Sequence, residues 1–370
     1  MRSDERSADS GRELNVLVVD DDPSVTRFLE RTLLRLGARS VRIAGNGAEA
    51  LAQELGSESP FDLILCDLQM PELDGIAFLR HLGARGYPGA VLLVSGAGER
   101  LLRAVEGLGR EHELEIVGVL EKPIGAAELG ASLEKARVRR SARKAREGVS
   151  VSADEIRAGI SQGQVFVALQ PQADARTGSI LGLEALVRWN HPEKGFIAPS
   201  DFIPVAEESD LIDELTHHVL VGSTAAAARV RAAGFDVGLS VNVSVRNLQR
   251  LRLPEEVEAA ARAAGLPLHR LVLEVTESAF VTHLASTLEI LSRLRLNGVG
   301  LSIDDFGTGY ATLEHLQRIP VTELKIDRGF VNGAPRDAVA RSIVESSVFL
   351  ARKLGLFTVA EGVETYEEWD

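Results

Sequence analysis

One cysteine, Cys66, stands in 370 residues, so no internal disulfide framework can form, and a reducing compartment is favoured. No apolar run approaches the length of a membrane span. Residues 1–13 lack the apolar core of a secretory signal and read as a disordered tail, which makes a cytoplasmic protein the expectation. Basic residues are the minority charge. The formal net charge of −13 argues against a general nucleic-acid binder, so no direct DNA binding is expected. There is no H-E-x-x-H and no paired cysteine, which removes the usual zinc signatures. What is present suffices for full cores: 45% of residues are apolar, and the length suggests about two domains at roughly 150 residues each.

Residues 14–136 alternate between strand and helix. The predicted strands are 14–19, 40–44, 63–66, 90–94 and 116–120; the helices between and after them are 25–36, 48–55, 75–82, 100–108 and 126–136. Five such units imply a doubly wound, five-stranded parallel sheet whose ligands sit beyond the carboxyl ends of the strands. Polar residues stand there: Asp20 and Asp21 after the first strand, Asp67 after the third, Ser95 after the fourth, Lys122 after the fifth. Three carboxylates with a hydroxyl and an ammonium suit a hard divalent cation and a phosphoryl group. A basic run follows in residues 137–150 (Arg137, Arg139, Arg140, Arg143, Lys144, Arg146). It reads as a solvated helical extension of the last helix, ending near Gly148 and connecting two domains.

Residues 151–370 continue the alternation with longer helices. Seven strands (165–169, 180–186, 237–243, 271–275, 299–303, 323–326, 357–360) and helices at 205–233, 255–264, 285–296, 311–318 and 338–354 predict a TIM-like barrel. Glu184, Asn242, Glu274, the pair Asp304 and Asp305, Lys325 and Glu361 recur within or at the end of successive strands. In a barrel those positions share one mouth, and a ring of oxygen ligands selects Mg²⁺ or Mn²⁺ over zinc. Beyond the aspartate pair, Gly307 and Gly309 allow a sharp turn.

Both segments resemble known families. V-V-D-D-D-P, L-I-L-C-D-L-Q-M-P-E-L-D-G, L-L-V-S-G and L-E-K-P-I resemble the receiver domain of bacterial response regulators, a flavodoxin-like fold. That resemblance implies Asp67 as phosphoacceptor and Asp20, Asp21, Asp67 and the Gln69 carbonyl as metal contacts. Ser95 and Lys122 would hold phosphoryl oxygens, and a sensor histidine kinase would be the partner. Val119 stands where that family often carries an aromatic residue, so the usual aromatic relay is not expected.

E-A-L-V-R-W (184–189), S-V-N-V-S (240–244), L-E-V-T-E-S (273–278), D-D-F-G-T-G-Y (304–310), L-K-I-D (324–327) and A-E-G-V-E-T (360–365) resemble the EAL domain, which hydrolyses cyclic di-GMP to linear pGpG. The resemblance implies one metal on Glu184, Asn242, Glu274 and Asp304, and a second on Asp304 and Asp305. Glu361 and Lys325 would handle the attacking water, and Gln170 and Arg188 the substrate. Glu277 would pin the 304–310 loop, with Glu364 supporting the same mouth. In that family a further helix and an eighth strand follow A-E-G-V-E-T, so a barrel lacking its last strand is expected here. The combined expectation is a response regulator, a homodimer or larger, whose phosphodiesterase is controlled through Asp67. The alternative is an inactive cyclic di-GMP receptor that signals through protein contacts.

Overall fold

The computed structural model describes residues 14–56, 60–96, 105, 107–109, 111, 112, 114–146, 150–280, 284–307 and 313–369. The predicted tail, most of the predicted helix 100–108 and residues 308–312 lie outside these. The chain divides into two compact units, Met1–Gly148 and Val149–Asp370. No helix among the described residues is long and apolar enough to cross a membrane.

In the first unit, β1 (Asn15–Val19), β2 (Ser40–Ala44), β3 (Leu63–Asp67), β4 (Ala90–Ser95) and β5 (Glu115–Glu121) form a parallel sheet in the order β2-β1-β3-β4-β5. β3 and β4 are buried along their whole length, because helices cover both faces of a parallel sheet. Successive residues therefore feed two different cores. Leu17, Val19, Ile64 and Cys66 pack with Phe78 on one side, while Val16, Val18, Leu63 and Leu65 pack with Leu29 and Leu33 on the other. Short polar side chains start the helices: Asp22 caps Pro23–Arg35, Asn46 caps Gly47–Leu55 and Asp74 caps Gly75–Gly83.

The last helix of this unit runs from Ala126 to Arg146. The basic run thus extends the helix as expected, but Arg137 and Arg140 are not solvated as that expectation supposed. Arg140 Nε lies 2.7 Å from Asp62 Oδ1 with the two side chains 9% and 6% exposed. Arg137 Nη2 donates to the carbonyls of Leu36 and Gly37 at 2.7 and 3.1 Å. These carbonyls end helix Pro23–Arg35, where backbone acceptors lack intrahelical partners, and Asp62 sits just before β3. The helix thus returns along the amino-terminal edge of the sheet, where arginine finds acceptors that water would otherwise supply.

In the second unit, β6 (Val165–Ala173), β7 (Ile180–His191), β8 (Gly195–Ile197), β9 (Gly238–Asn242), β10 (Leu271–Thr276), β11 (Gly300–Phe306), β12 (Glu323–Ile326) and β13 (Phe357–Ala360) make one curled sheet. Its path is β13-β12-β11-β10-β9-β7-β6, with β8 paired to β7. Among the described residues this is a TIM-like barrel lacking a strand. From β7 to β13 neighbours on that path are parallel, whereas β6 and β8 pair antiparallel with β7. β8 escaped the sequence reading because three residues carry no periodicity. The predicted helix 205–233 is two helices, Pro199–Glu208 and Ile212–Ala232. Between them Asp210 takes the left-handed conformation (φ +58°), which an α-helix cannot continue through.

Strand alternation explains how this barrel holds both a core and a polar mouth. Leu273, Val275, Leu301 and Ile303 pack with Leu220, Leu291 and Leu294 in the main core, and Leu324 and Ile326 pack with Val331 in a smaller one. Intervening residues face the other way: Glu274, Ser302, Asp304, Glu323 and Lys325. Trp189 is fully buried edge-on to Phe202 at 5.4 Å and fastens β7 to helix Pro199–Glu208.

Candidate catalytic and phosphoacceptor sites

Lys325 occupies the centre of the barrel mouth with its side chain 1% exposed. Its Nζ lies 2.6 Å from Glu361 Oε1, 2.7 Å from Glu274 Oε2, 3.3 Å from Asp304 Oδ1 and 3.4 Å from Glu184 Oε1. A buried ammonium without counter-charges would lose its proton. Here burial does pull Lys325 down, but Glu274, Asp304, Glu184 and Glu361 outweigh it and raise its pKa.

The carboxylates show the converse. Burial pushes Glu274 up to about 8, against the pull of Lys325, and Glu361 up to about 7 for the same reason. Asp305 is also raised, by burial and then by Asp304 and Asp327 beside it. One ammonium does not neutralise four close carboxylates, and Glu274 Oε1 is shielded from solvent with no hydrogen-bond partner among the described residues. A hard divalent cation is what this donor set fits.

Asn242, at the end of β9, donates from Nδ2 to Glu184 Oε1 at 3.3 Å, so all four residues of the first expected metal set reach one cluster. Oxygens of Asp304, Asp305 and Glu361 lie within 4.8 Å of one another. That grouping puts Glu361 among possible ligands, a role the sequence reading did not give it. The pairing of β11 with β12 shifts register between Ile303 and Phe306, and Asp305 within the irregularity has φ +56°. A non-glycine residue held there is strained, and such strain collects at functional sites. Gly307 follows at φ +100°, and its N–H donates to Glu277 Oε1 at 2.9 Å. Residues 308–310 of the expected loop lie outside the described residues.

Gln170 pairs with Glu184 across the β6–β7 ladder, and Phe166 pairs with Arg188. Alternation puts Gln170, Glu184 and Arg188 on one face of that hairpin. Glu364 is exposed beyond β13. Its N–H donates to Glu368 Oε2 at 2.7 Å, and its carboxylate makes no hydrogen bond or ion pair with the Lys325 cluster among the described residues. Two residues escaped the sequence reading, Ser302 and Glu323. The available signal was period two: they stand two positions before Asp304 and Lys325.

In the first unit, Lys122 Nζ bridges Asp67 Oδ2 at 2.6 Å and Asp20 Oδ2 at 2.8 Å. Burial raises the Asp20 carboxyl and Lys122 opposes it; burial acts downward on Lys122, but Asp20 and Asp67 raise it overall. Oxygens of Asp20, Asp21 and Asp67 lie within 4.8 Å of one another, a set that fits a hard cation. Ser95 is buried at the end of β4, and its carbonyl accepts from the Lys122 N–H at 3.0 Å. The Gln69 N–H donates to Asp67 Oδ1 at 3.2 Å. Gly75 allows close approach of the backbone here, since a Cβ on it would fall 2.2 Å from the Asp67 carbonyl oxygen. Val119 packs partly buried against the core beside it.

The two folds and their carboxylate sites define a receiver unit followed by a barrel of the EAL type. Residues 153–370 match the EAL domain and residues 16–134 the response regulator receiver domain, and the chain belongs to the EAL-domain family with a receiver domain before it. Along almost its whole length it is similar to the cyclic di-GMP phosphodiesterase RocR of Pseudomonas aeruginosa, with 33% identity over 358 residues, 96% of this chain and 91% of RocR. The cyclic di-GMP phosphodiesterase NbdA of the same species is 40% identical over 216 residues, 58% of this chain but 26% of NbdA. Among solved structures, the MucR phosphodiesterase in complex with cyclic di-GMP is 39% identical with a TM-score of 0.56, over 58% of this chain and 88% of that one.

Proposed function

We propose that the barrel hydrolyses cyclic di-GMP to pGpG and that phosphorylation of Asp67, by a sensor histidine kinase, controls it. The observation that carries this reading is the convergence of Glu184, Glu274, Asp304 and Glu361 on Lys325 from different strands, in a chain similar to RocR from end to end. Glu184, Asn242, Glu274 and Asp304 would hold one divalent cation, Mg²⁺ or Mn²⁺, and Asp304 with Asp305 a second. Cations held there would offset phosphodiester charge and make water more acidic.

The chain's own groups then have distinct tasks. Glu361 takes the proton of the attacking water, which an ordinary carboxylate does poorly at neutral pH and a raised one does better. The water oxygen forms a new bond to phosphorus, one ring P–O3′ bond breaks, the departing O3′ takes up a proton to become a hydroxyl, and the product carries a terminal 5′-phosphate. Lys325, beside both Glu361 and Asp304, orients the water and offsets charge. Gln170 and Arg188 hold the substrate from the β6–β7 face, Arg188 as a fixed fork for a phosphate oxygen. Glu277 fixes the turn after Asp305 through the Gly307 N–H.

In the receiver unit, an Asp67 oxygen bonds to phosphorus as the P–N bond of the kinase's phosphohistidine breaks and the imidazole leaves; Lys122 and Ser95 receive the phosphoryl oxygens, and Asp20, Asp21 and the Gln69 carbonyl would complete a cation site. Incubation of the full chain with cyclic di-GMP and Mn²⁺, followed by chromatography, tests the activity. Formation of pGpG is expected; cyclic di-GMP bound but unchanged would refute hydrolysis and leave a receptor.

A further inference from the structure

Two polar side chains to which the mechanism above gives no task, Ser302 and Glu323, continue a row that begins at Glu274 of the Lys325 cluster. Glu274 on β10 is in register with Ser302 on β11, and Ser302 with Glu323 on β12. The three residues thus sit side by side on adjacent strands, about 4.8 Å apart, and on the face that carries Asp304 and Lys325. Glu274 Oε1, Ser302 Oγ and Glu323 Oε1 are all shielded from solvent, and among the described residues none has a hydrogen-bond partner of normal geometry. Burial raises the Glu323 carboxyl above its ordinary range, although the nearby Ser302 hydroxyl pulls the other way.

A buried polar atom left alone is costly, and three in one row are unusual. One hydroxyl proton stands between two carboxyl groups. A donor supplied by Glu323 to Ser302 Oγ ends the competition for that proton and leaves it for Glu274 Oε1. Glu274 would then keep Oε2 for Lys325, which it meets at 2.7 Å.

We propose that Glu323 and Ser302 are positioning residues: a hydrogen-bond relay, Glu323 to Ser302 to Glu274, that orients the Glu274 carboxylate for cation binding. The relay rests on the metal-binding reading of the Lys325 cluster. Outer partners of metal ligands tune affinity by about 10–100-fold. The relay makes Glu323 act through a hydrogen bond rather than through its charge, so a side-chain amide in its place serves equally.

The test is calorimetric titration of the full chain with Mn²⁺, in an Asp20→Asn background that disables the receiver's carboxylate site, with pGpG formation measured in parallel. Glu323→Ala and Ser302→Ala should each weaken Mn²⁺ binding about 10-fold. The double variant should be no weaker than either single one, because one relay is cut twice. Glu323→Gln should bind within about 3-fold of the parent, since its amide can donate to Ser302. Unchanged affinity in Glu323→Ala, strictly additive losses, or Glu323→Gln as weak as Glu323→Ala would each overturn the relay. Thermal melts identify any variant that has lost its fold, and Ser302→Ala and Glu323→Gln change the side chain least. A parent chain that binds Mn²⁺ without forming pGpG would defeat the phosphodiesterase reading but leave this comparison decisive. A parent that binds no Mn²⁺ would defeat both.

Discussion

Arg140 and Asp62 form a 2.7 Å ion pair almost wholly withdrawn from water, fixing the last receiver helix to the residue that precedes β3. Asp62 also accepts from the Asn15 N–H at 2.8 Å, so its charge is woven into the start of β1. Arg140→Met would leave a buried carboxylate without its main counter-charge. Such losses cost roughly 3 kcal/mol. Urea unfolding of the full chain, followed by a probe in the first unit, should show a drop of that order. A midpoint equal to the parent's would mean the pair contributes nothing.

Asp304 stands in both expected metal sets and contacts Lys325 at 3.3 Å. Asp304→Asn should lower pGpG formation by about 10³-fold, equivalent to about 4 kcal/mol of transition-state stabilisation. Turnover within an order of magnitude of the parent would remove the two-cation assignment.

The metal-free barrel should become less stable as pH rises. Glu361 and Glu274 hold their protons to about 7 and about 8 in the folded chain, against 4.5 when unfolded. Between about pH 5 and 8 the folded state therefore binds more protons, and stability falls through that window. Mn²⁺ binding must displace the same protons, so its affinity should rise with pH over the same range. Melting curves in chelator, and then with Mn²⁺, check both signs; a melting temperature that climbs with pH in chelator contradicts the burial of these groups.

Asp67 is the receiver carboxylate that Lys122 holds at 2.6 Å. A small phosphodonor with Mg²⁺ should add one phosphoryl mass to the parent and none to Asp67→Asn. The phosphodiesterase response to that donor should vanish with it, and phosphate still appearing on the variant would place the acceptor elsewhere.

Gly75 tolerates no side chain, because the carbonyl of Asp67 lies where its Cβ would go. Gly75→Ala should force that backbone apart at a cost of about 1–3 kcal/mol and slow phosphoryl uptake at Asp67. An unperturbed melt together with normal uptake would show that the loop shifts freely.

Much of the site was legible because it repeats. A polar residue ending strand after strand is a pattern in one dimension, and parallel strands with helical returns carry those ends to one side. Asp20, Asp67 and Lys122, and likewise Glu184, Glu274, Asp304 and Lys325, could be named before any coordinate was known. Helix 205–233 failed as a unit because its break at Asp210 lies in a backbone angle rather than in an apolar spacing. The basic run continues the last helix as expected, but the solvated reading failed at Arg137 and Arg140, because arginine looks equally at home in water or against carbonyls and carboxylates.

By itself the sequence determined which residues carry charge, which face of each strand they share, and that hard oxygen donors rather than thiolates would meet a cation. Only the tertiary structure decided that Lys325 sits inside four carboxylates, that Arg140 is buried against Asp62, and that Ser302 and Glu323 form a row with Glu274. The reason is that alternation along a strand fixes direction, whereas distance and burial depend on strand register and sheet curvature, which arise between segments far apart in the chain.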